Sequence, residues 1–142
     1  MKIEYRQIHP NEHLNFFKVE ARGFGGHYTP TKNQRATDKK RLTPEMTLAA
    51  FENKQIVGTS AAEPFETTVP GGGFVKNAGI AFVTVETTHQ RRGILTKMMK
   101  KLLARERDNG MVVASLWASE SIIYGRFGYG MAIRTEDLKI EK

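Results

Sequence analysis

Hydrophobic residues recur along the chain at two different spacings, which predict a mixed order of strands and helices. The amino-terminal segment 2–8 alternates polar and apolar residues, a pattern typical of a strand. Segment 9–25 predicts a helix that begins near Pro10 and ends at a glycine. The apolar face of this helix is predicted to consist of Leu14, Phe17 and Ala21. The polar segment 25–43 has no period, which predicts a long loop that is either a mobile lid or disordered.

The middle of the chain is rich in residues that favour strands. Residues 45–66 predict two strands joined by a turn at Asn53 and Lys54. The glycine-rich residues 67–73 predict a further turn or loop. Residues 74–86 predict a long strand that leads directly into the next helix.

The last third predicts a helix, a strand, a short helix and a strand. The first helix begins at Ile94, is closed by Gly110, and is amphipathic. Its predicted apolar stripe is Ile94, Leu95, Met98, Met99, Leu102 and Leu103. The nearly all-apolar residues 111–117 predict a buried strand, and residues 119–127 a short helix capped by Ser119. With a final strand at 129–140, the order predicts one mixed α/β domain over residues 1–142 with a central sheet.

Composition excludes several kinds of site. The 142-residue chain has no cysteine, which excludes a disulfide framework, a thiolate metal site and a cysteine nucleophile. Its four histidines lack metal-ligand spacing, so we expect no metal site. We expect no membrane span, and the charged amino terminus does not resemble a secretory signal, so we expect a cytoplasmic protein. The net charge of +7 indicates either an anionic partner or a solubilising surface.

Two arginines stand where the long helix begins, which is unfavourable because a helix amino terminus is itself partially positive. An anion bound there would offset the cost: backbone N–H groups, Arg91 and Arg92 could all hold a phosphate. Gly93 would let phosphate oxygens approach the main chain, and Thr96 could donate its hydroxyl. The alternative is a basic surface stretch with a glycine at a bend.

The segment "VTVETTHQRRGIL" resembles the acetyl-coenzyme A motif of the GNAT acetyltransferase superfamily, Q/R-x-x-G-x-G/A after the fourth strand. Leu95 departs from that pattern at its last position. The stretches "RRGIL", "LWASESIIYGRFGYGMA" and "MTLAAFENKQIVGTSAAEPFETTVPGG" are similar to the Eis-like (enhanced intracellular survival) branch. This resemblance implies the GNAT fold: a mixed, mostly antiparallel sheet flanked by helices, whose fourth and fifth strands splay apart.

The resemblance also assigns roles to residues. It implies that the main chain of Val83, Thr84 and Val85 binds the pantetheine arm of acetyl-coenzyme A, with one N–H polarising the thioester carbonyl. The two valines could equally belong to the core. The pyrophosphate site implied by the resemblance consists of Arg91, Arg92, Gly93, Ile94, Leu95 and Thr96. Ser119 and Glu120 would lie beside the cofactor, or serve as a helix cap and a first-turn carboxylate, and these roles can coexist.

Tyr124 matches the first tyrosine of the family's "YGRFGYG", which serves as general acid. A phenol with a pKa near 10 stays protonated at neutral pH and can donate to a departing thiolate, although packing beside Phe127 and Tyr129 is the alternative role. For the general base, Glu86, His89 and Glu120 through water remain open. In the Eis branch this base is the terminal carboxylate of a longer chain, so this chain is either an amino-terminal part of such a protein or a stand-alone relative.

The implied activity is acetyl transfer from acetyl-coenzyme A to a primary amine. The resemblance suggests a small-molecule or lysine-type acceptor: an aminoglycoside, a polyamine or a lysine side chain. A non-catalytic acyl-coenzyme A binding module is the alternative. Nucleic-acid binding would rest on charge alone, so we expect no nucleic acid and no membrane as partners, and we leave homo-oligomerisation open.

Overall fold

Five strands form one sheet in the computed structural model, which describes residues 2–134. The strands are β1 (Glu4–Arg6), β2 (Ala49–Glu52), β3 (Gln55–Val69), β4 (Gly73–Val85) and β5 (Val113–Leu116). They lie in sequence order, and all neighbours are antiparallel except β4 and β5, which are parallel. The prediction of a mixed, mostly antiparallel sheet flanked by helices is confirmed.

Within these residues, four α-helices accompany the sheet: α1 (His13–Gly23), α2 (Lys32–Arg41), α3 (Ile94–Asp108) and α4 (Ser121–Tyr124). Short 3-10 turns cover Pro10–Glu12, Pro44–Met46, Thr87–His89 and Gly125–Phe127. Within the described residues, none of the helices has the length and apolar character needed to cross a membrane.

The side chains of β2 alternate between two layers of core because successive strand residues point to opposite faces. Ala49 and Phe51 are buried with the α1 residues Phe16 and Phe17. Ala50, between them, is buried with residues of α3, among them Met98. Helices α1 and α3 therefore cover opposite faces of the sheet, in three layers.

The predicted stripe of α3 is confirmed, whereas that of α1 is partly wrong. On α3, Leu95 and Leu103 are partly buried at the edge of the stripe, and the four others are buried. On α1, Phe17 is buried as predicted, but Leu14 and Ala21 are only half-buried. The other buried residues of α1 are His13, Phe16 and Val19. His13 is accommodated because its Nε2 lies 3.0 Å from the buried carbonyl oxygen of Leu42.

The prediction of an irregular loop at 25–43 is wrong, because this segment contains α2. Thr31 and Gln34 form a reciprocal capping box: the Thr31 hydroxyl accepts from the Gln34 N–H, and the Gln34 side chain accepts from the Thr31 N–H. No residue of α2 is buried. The helix therefore lacks the apolar period on which the prediction relied, and capping and strong helix formers stabilise it instead.

Hairpin lengths also differ from the prediction. The turn at Asn53 and Lys54 is confirmed, with φ angles of 49° and 66° at these two residues. Residues 67–73, predicted as a turn or loop, contain a turn but otherwise continue the strands: pairing of β3 with β4 runs as far as Val69 opposite Gly73. Only residues 70–72 form the turn, because Thr67, Thr68 and Val69 favour a strand and extend the ladder as far as the glycines.

The segment after α3 is less buried than its composition predicts. The strand predicted at 111–117 is present as β5, but its predicted burial is wrong, because β5 lies at the edge of the described sheet. Trp117, which follows β5, is 77% exposed. Residues 129–134 of the predicted last strand form no strand, and residues 135–140 lie outside the described part of the chain. The Ser119 cap is also wrong, because Glu120 occupies the N-cap position of α4 and makes no side-chain capping bond.

Close packing of α1 against β4 generates a stability prediction. A Cβ atom added at Gly23, the last residue of α1, would lie 1.7 Å from Oγ1 of the buried Thr84. We expect Gly23→Ala to lower the free energy of unfolding by about 1–3 kcal/mol, as overpacking does. Gly26→Ala is the control, since its Cβ would approach only the Ala21 carbonyl oxygen, at 3.5 Å. Urea unfolding of both variants tests this, and a Gly23→Ala protein as stable as the wild type would contradict it.

Candidate active site

The carboxyl half of β4 has a free edge on the side of β5. Pairing between the two strands covers only Asn77 to Ile80 of β4, whereas pairing with β3 continues to Val85. Within this half, the register between β3 and β4 shifts, and Phe82 adopts a φ of 57°. The Thr59 hydroxyl donates to the Phe82 carbonyl oxygen at 2.7 Å and fixes this bulge. Residues 81–85 therefore present main-chain groups that no described strand pairs on the β5 side.

The turn between β4 and α3 has two residues in the left-handed region. Arg91 has a φ of 60° and Gly93 a φ of 75°, and Gly93 is the N-cap of α3. Among residues 2–134, no side chain caps this helix amino terminus. Its first N–H groups and the positive end of the helix dipole are therefore free to bind an anion. The open space around Gly93, where an added Cβ would meet nothing within 4 Å, leaves room for that anion.

A cavity of about 800 Å³ joins the free edge of β4 to this turn. The predicted site residues that line it are Val83, Thr84, Val85, Arg91, Gly93, Ile94, Leu95, Thr96, Ser119, Glu120 and Tyr124. Strand β4, the amino-terminal end of α3 and helix α4 thus bring together residues that are far apart in sequence.

Arg92 is the predicted site residue that does not line the cavity. Its guanidinium donates to Oε1 of Glu52 at 2.6 Å, and His89 Nε2 lies 3.0 Å from Oε2 of the same carboxylate. Hydrogen bonds from Arg92 and His89 hold the pKa of the Glu52 carboxyl below its usual value. At the start of α3, the cation left at the cavity is therefore that of Arg91.

Tyr124 is 8% exposed and lies where α4 meets the cavity. Its ring packs edge-on against Tyr129, with 6.0 Å between the centroids. Burial raises the pKa of the Tyr124 phenol above its usual value, and burial together with Tyr124 raises that of Tyr129 to about 12. Both phenols are therefore protonated at neutral pH. The packing role and the proton-donor role weighed for Tyr124 are compatible with this position.

Six further residues line the cavity: His89, a predicted candidate for the general base, and five outside the predicted set, namely Gly23, Phe24, Gln90, Ile123 and Arg126. Gln90 adjoins the motif and could have been added from it. Gly23 and Phe24 come from the end of α1, and only the fold reveals that this end approaches β4. The two remaining base candidates differ in position: Glu86 pairs with Arg22, whereas Glu120 lines the cavity.

Comparisons with known proteins agree with this architecture. The family model of the acetyltransferase (GNAT) domain matches residues 4–132. An uncharacterized N-acetyltransferase of Streptomyces avermitilis is 37% identical over 139 residues, 98% of this chain and 33% of that protein. N-acetyltransferase Eis of Mycobacterium tuberculosis is 43% identical over 93 residues, 66% of this chain and 23% of that protein.

Among solved structures, Eis1 from Mycobacterium abscessus superposes with a TM-score of 0.80 at 35% identity, covering 92% of this chain and 31% of that one. The chain thus spans between about a quarter and a third of the length of these relatives. The family match extends over nearly all of the described residues, including strand β4 and the helices α3 and α4 that line the cavity. The chain belongs to the GNAT acetyltransferase family.

Proposed function

We propose that this chain is the catalytic domain of an N-acetyltransferase that moves an acetyl group from acetyl-coenzyme A to a primary amine. The observation that carries the proposal is the cavity itself, which runs from the free edge of β4 to the uncapped amino terminus of α3. An elongated ligand with a peptide-like arm and a diphosphate fits both ends. Family membership supports the same reaction class.

The main chain of residues 83–85 is proposed to hold the pantetheine arm. This part of β4 has no β5 partner within the described residues, so an extended ligand with amide groups can pair with it as a strand would. In the residues of β4 that line the cavity, the side chain can pack in the core while the backbone groups remain available to the ligand. Thr84, whose side chain packs against Gly23, combines the two roles.

The turn before α3 is proposed to hold the diphosphate. Arg91, Thr96 and the first residues of α3 line the cavity there, so the Arg91 guanidinium, the first N–H groups of the helix and the Thr96 hydroxyl are proposed to bind the diphosphate. A basic sequence is tolerated at this point because a bound anion offsets the cost of a cation at a helix amino terminus. Ile94 and Leu95 place the helix against the core at the same point.

Acetyl-coenzyme A supplies an activated thioester when it is bound. The chain's own contributions are to orient that thioester along β4, to polarise its carbonyl with a backbone N–H of β4, and to donate a proton from Tyr124 to the sulfur that leaves. The raised pKa of Tyr124 supports this donor role, because the phenol remains protonated across the neutral range. The acceptor is proposed to be an aminoglycoside, a polyamine or a lysine-type amine.

Glu120, His89 and Glu86 are the candidates for the general base that deprotonates the amine. Glu120 lines the cavity, and no salt bridge of the described residues involves it. His89 and Glu86 already have partners, on Glu52 and Arg22. A terminal carboxylate of a longer protein would fill the same role. We expect the chain to bind acetyl-coenzyme A.

Replacing Gly93 tests the phosphate site. Gly93→Asp places a carboxylate within a few ångströms of the proposed diphosphate, and the repulsion should weaken acetyl-coenzyme A binding by roughly 100-fold or more. Gly93→Asn is the matched control, because asparagine has the same shape, no charge, and tolerance of a left-handed φ. Calorimetric titration gives both affinities, and circular dichroism confirms folding. Equal affinities for the two folded variants would contradict a phosphate at this turn.

Replacing Tyr124 tests the proton donor. Tyr124→Phe removes one hydroxyl and keeps the ring that packs on Tyr129, so folding and acetyl-coenzyme A affinity should persist. Turnover, measured as thiol release, should fall by roughly 100-fold or more while KM for acetyl-coenzyme A stays nearly constant. The wild-type rate should not decline through Tyr124 ionisation below a pH of about 10, because burial raises that pKa.

Tyr129→Phe is the control, since it removes the neighbouring hydroxyl instead. Undiminished turnover in Tyr124→Phe would show that Tyr124 is not the acid. If the wild type binds acetyl-coenzyme A but releases no thiol with any of the three amine classes, the result would favour a non-catalytic acyl-coenzyme A binding module.

A further inference from the structure

Glu52 is the last residue of β2, far in sequence from the turn that precedes α3, and its carboxylate is buried against that turn. The residue is 9% exposed, and both of its oxygens are engaged. Oε1 accepts from the Arg92 guanidinium at 2.6 Å, and Oε2 lies 3.0 Å from His89 Nε2. A buried carboxylate needs such partners, because an unpaired charge in this environment is strongly destabilising.

The tautomer of His89 follows from its two neighbours. An ionised carboxylate only accepts hydrogen bonds, so His89 Nε2 must carry a proton and donate it to Glu52. In the neutral ring Nδ1 is then an acceptor, and the Thr88 hydroxyl lies 2.8 Å from it, in position to donate. The hydrogen bonds from Thr88 to His89 and from His89 to Glu52 therefore satisfy both nitrogens of the imidazole and fix the ring in place.

The two residues held by Glu52 flank Arg91, which has the strained φ of 60°. A non-glycine residue in that region is strained, and it persists when the surrounding structure over-determines its conformation. Glu52 provides such a constraint, since it binds the turn on both sides of Arg91 from a different strand. Arg91 lines the cavity, whereas the Arg92 guanidinium forms an ion pair with Glu52.

We propose that Glu52 is a positioning residue for the diphosphate site, and that Arg92 acts through Glu52 rather than by binding the phosphates itself. The inference rests on the proposed function. In this arrangement, the Glu52 carboxylate holds the turn before α3 so that Arg91 and the first N–H groups of α3 face the cavity. Arg92 also neutralises Glu52, which would otherwise repel the anion.

A double-mutant cycle on acetyl-coenzyme A affinity tests this inference by calorimetry. Glu52→Gln and Arg92→Gln should each weaken binding by about 10-fold, and the double variant should lose little more than either alone, because both changes release the same contact. Glu63→Gln is the control: this glutamate also lies on a strand and pairs with an arginine, Arg41, but not with the turn. Its affinity should match that of the wild type.

Amide hydrogen exchange in the ligand-free protein is the second readout. The amides of residues 89–96 should exchange faster in Glu52→Gln and Arg92→Gln than in the wild type, while those of β3 and β4 keep their protection. A general loss of stability would instead speed exchange in β3 and β4 as well. If Glu52→Gln does not fold, Arg92→Gln gives the same comparison, since that side chain is 40% exposed.

Two results would overturn the inference. One is a large loss of affinity in Arg92→Gln with none in Glu52→Gln, which would mean that Arg92 contacts the phosphates directly. The other is additive losses in the double variant without faster exchange in the turn. A wild-type chain that does not bind acetyl-coenzyme A would instead contradict the proposed function, and the exchange rates would then still decide whether Glu52 holds the turn.

Discussion

The separation of β4 from β5 is the constraint on which the candidate site depends. Strand β4 keeps its pairing with β3 to Val85 but loses β5 after Ile80, so half of a central strand has backbone groups without a described partner on one side. Unpaired buried backbone groups are costly, which makes such an edge stable only if water or a ligand reaches it. The cavity along this edge provides that access, and the bulge at Phe82 marks where the register changes.

Electrostatics complement this geometry at the other end of the cavity. The chain places two arginines at a helix amino terminus, but the structure gives them different partners. Arg92 is paired with a buried carboxylate, and Arg91 adjoins open space beside an uncapped helix end. One arginine therefore contributes to the stability of the turn, and the other contributes charge to the ligand site. The partial positive charge at the amino-terminal end of the α3 dipole adds to the charge of Arg91, so the local electrostatic field favours an anion.

The sequence predicted the elements that bury an apolar face and missed those that do not. Helix α3 was predicted with its stripe because Met98, Met99 and Leu102 repeat at helical spacing. Helix α2 was missed because it buries nothing, although its capping box at Thr31 and Gln34 was a readable signal. Strand β5 was predicted as buried from its composition, but position at a sheet edge is a property of topology and not of composition. Motif residues were predicted from their resemblance to a family, whereas the pairing of Arg92 with Glu52 joins residues on separate elements and carries no local signal.

Hydrogen exchange of the chain with and without saturating acetyl-coenzyme A tests the central claim most directly, because it reports on each backbone segment separately. The account predicts new protection at residues 81–85, where β4 is proposed to pair with the pantetheine arm, and at residues 90–96, where the turn and the first turn of α3 are proposed to hold the diphosphate. Residues of α2 and of the β3–β4 turn should be unchanged. Protection confined to other segments, or none at saturation, would contradict the placement of the cofactor between β4 and α3.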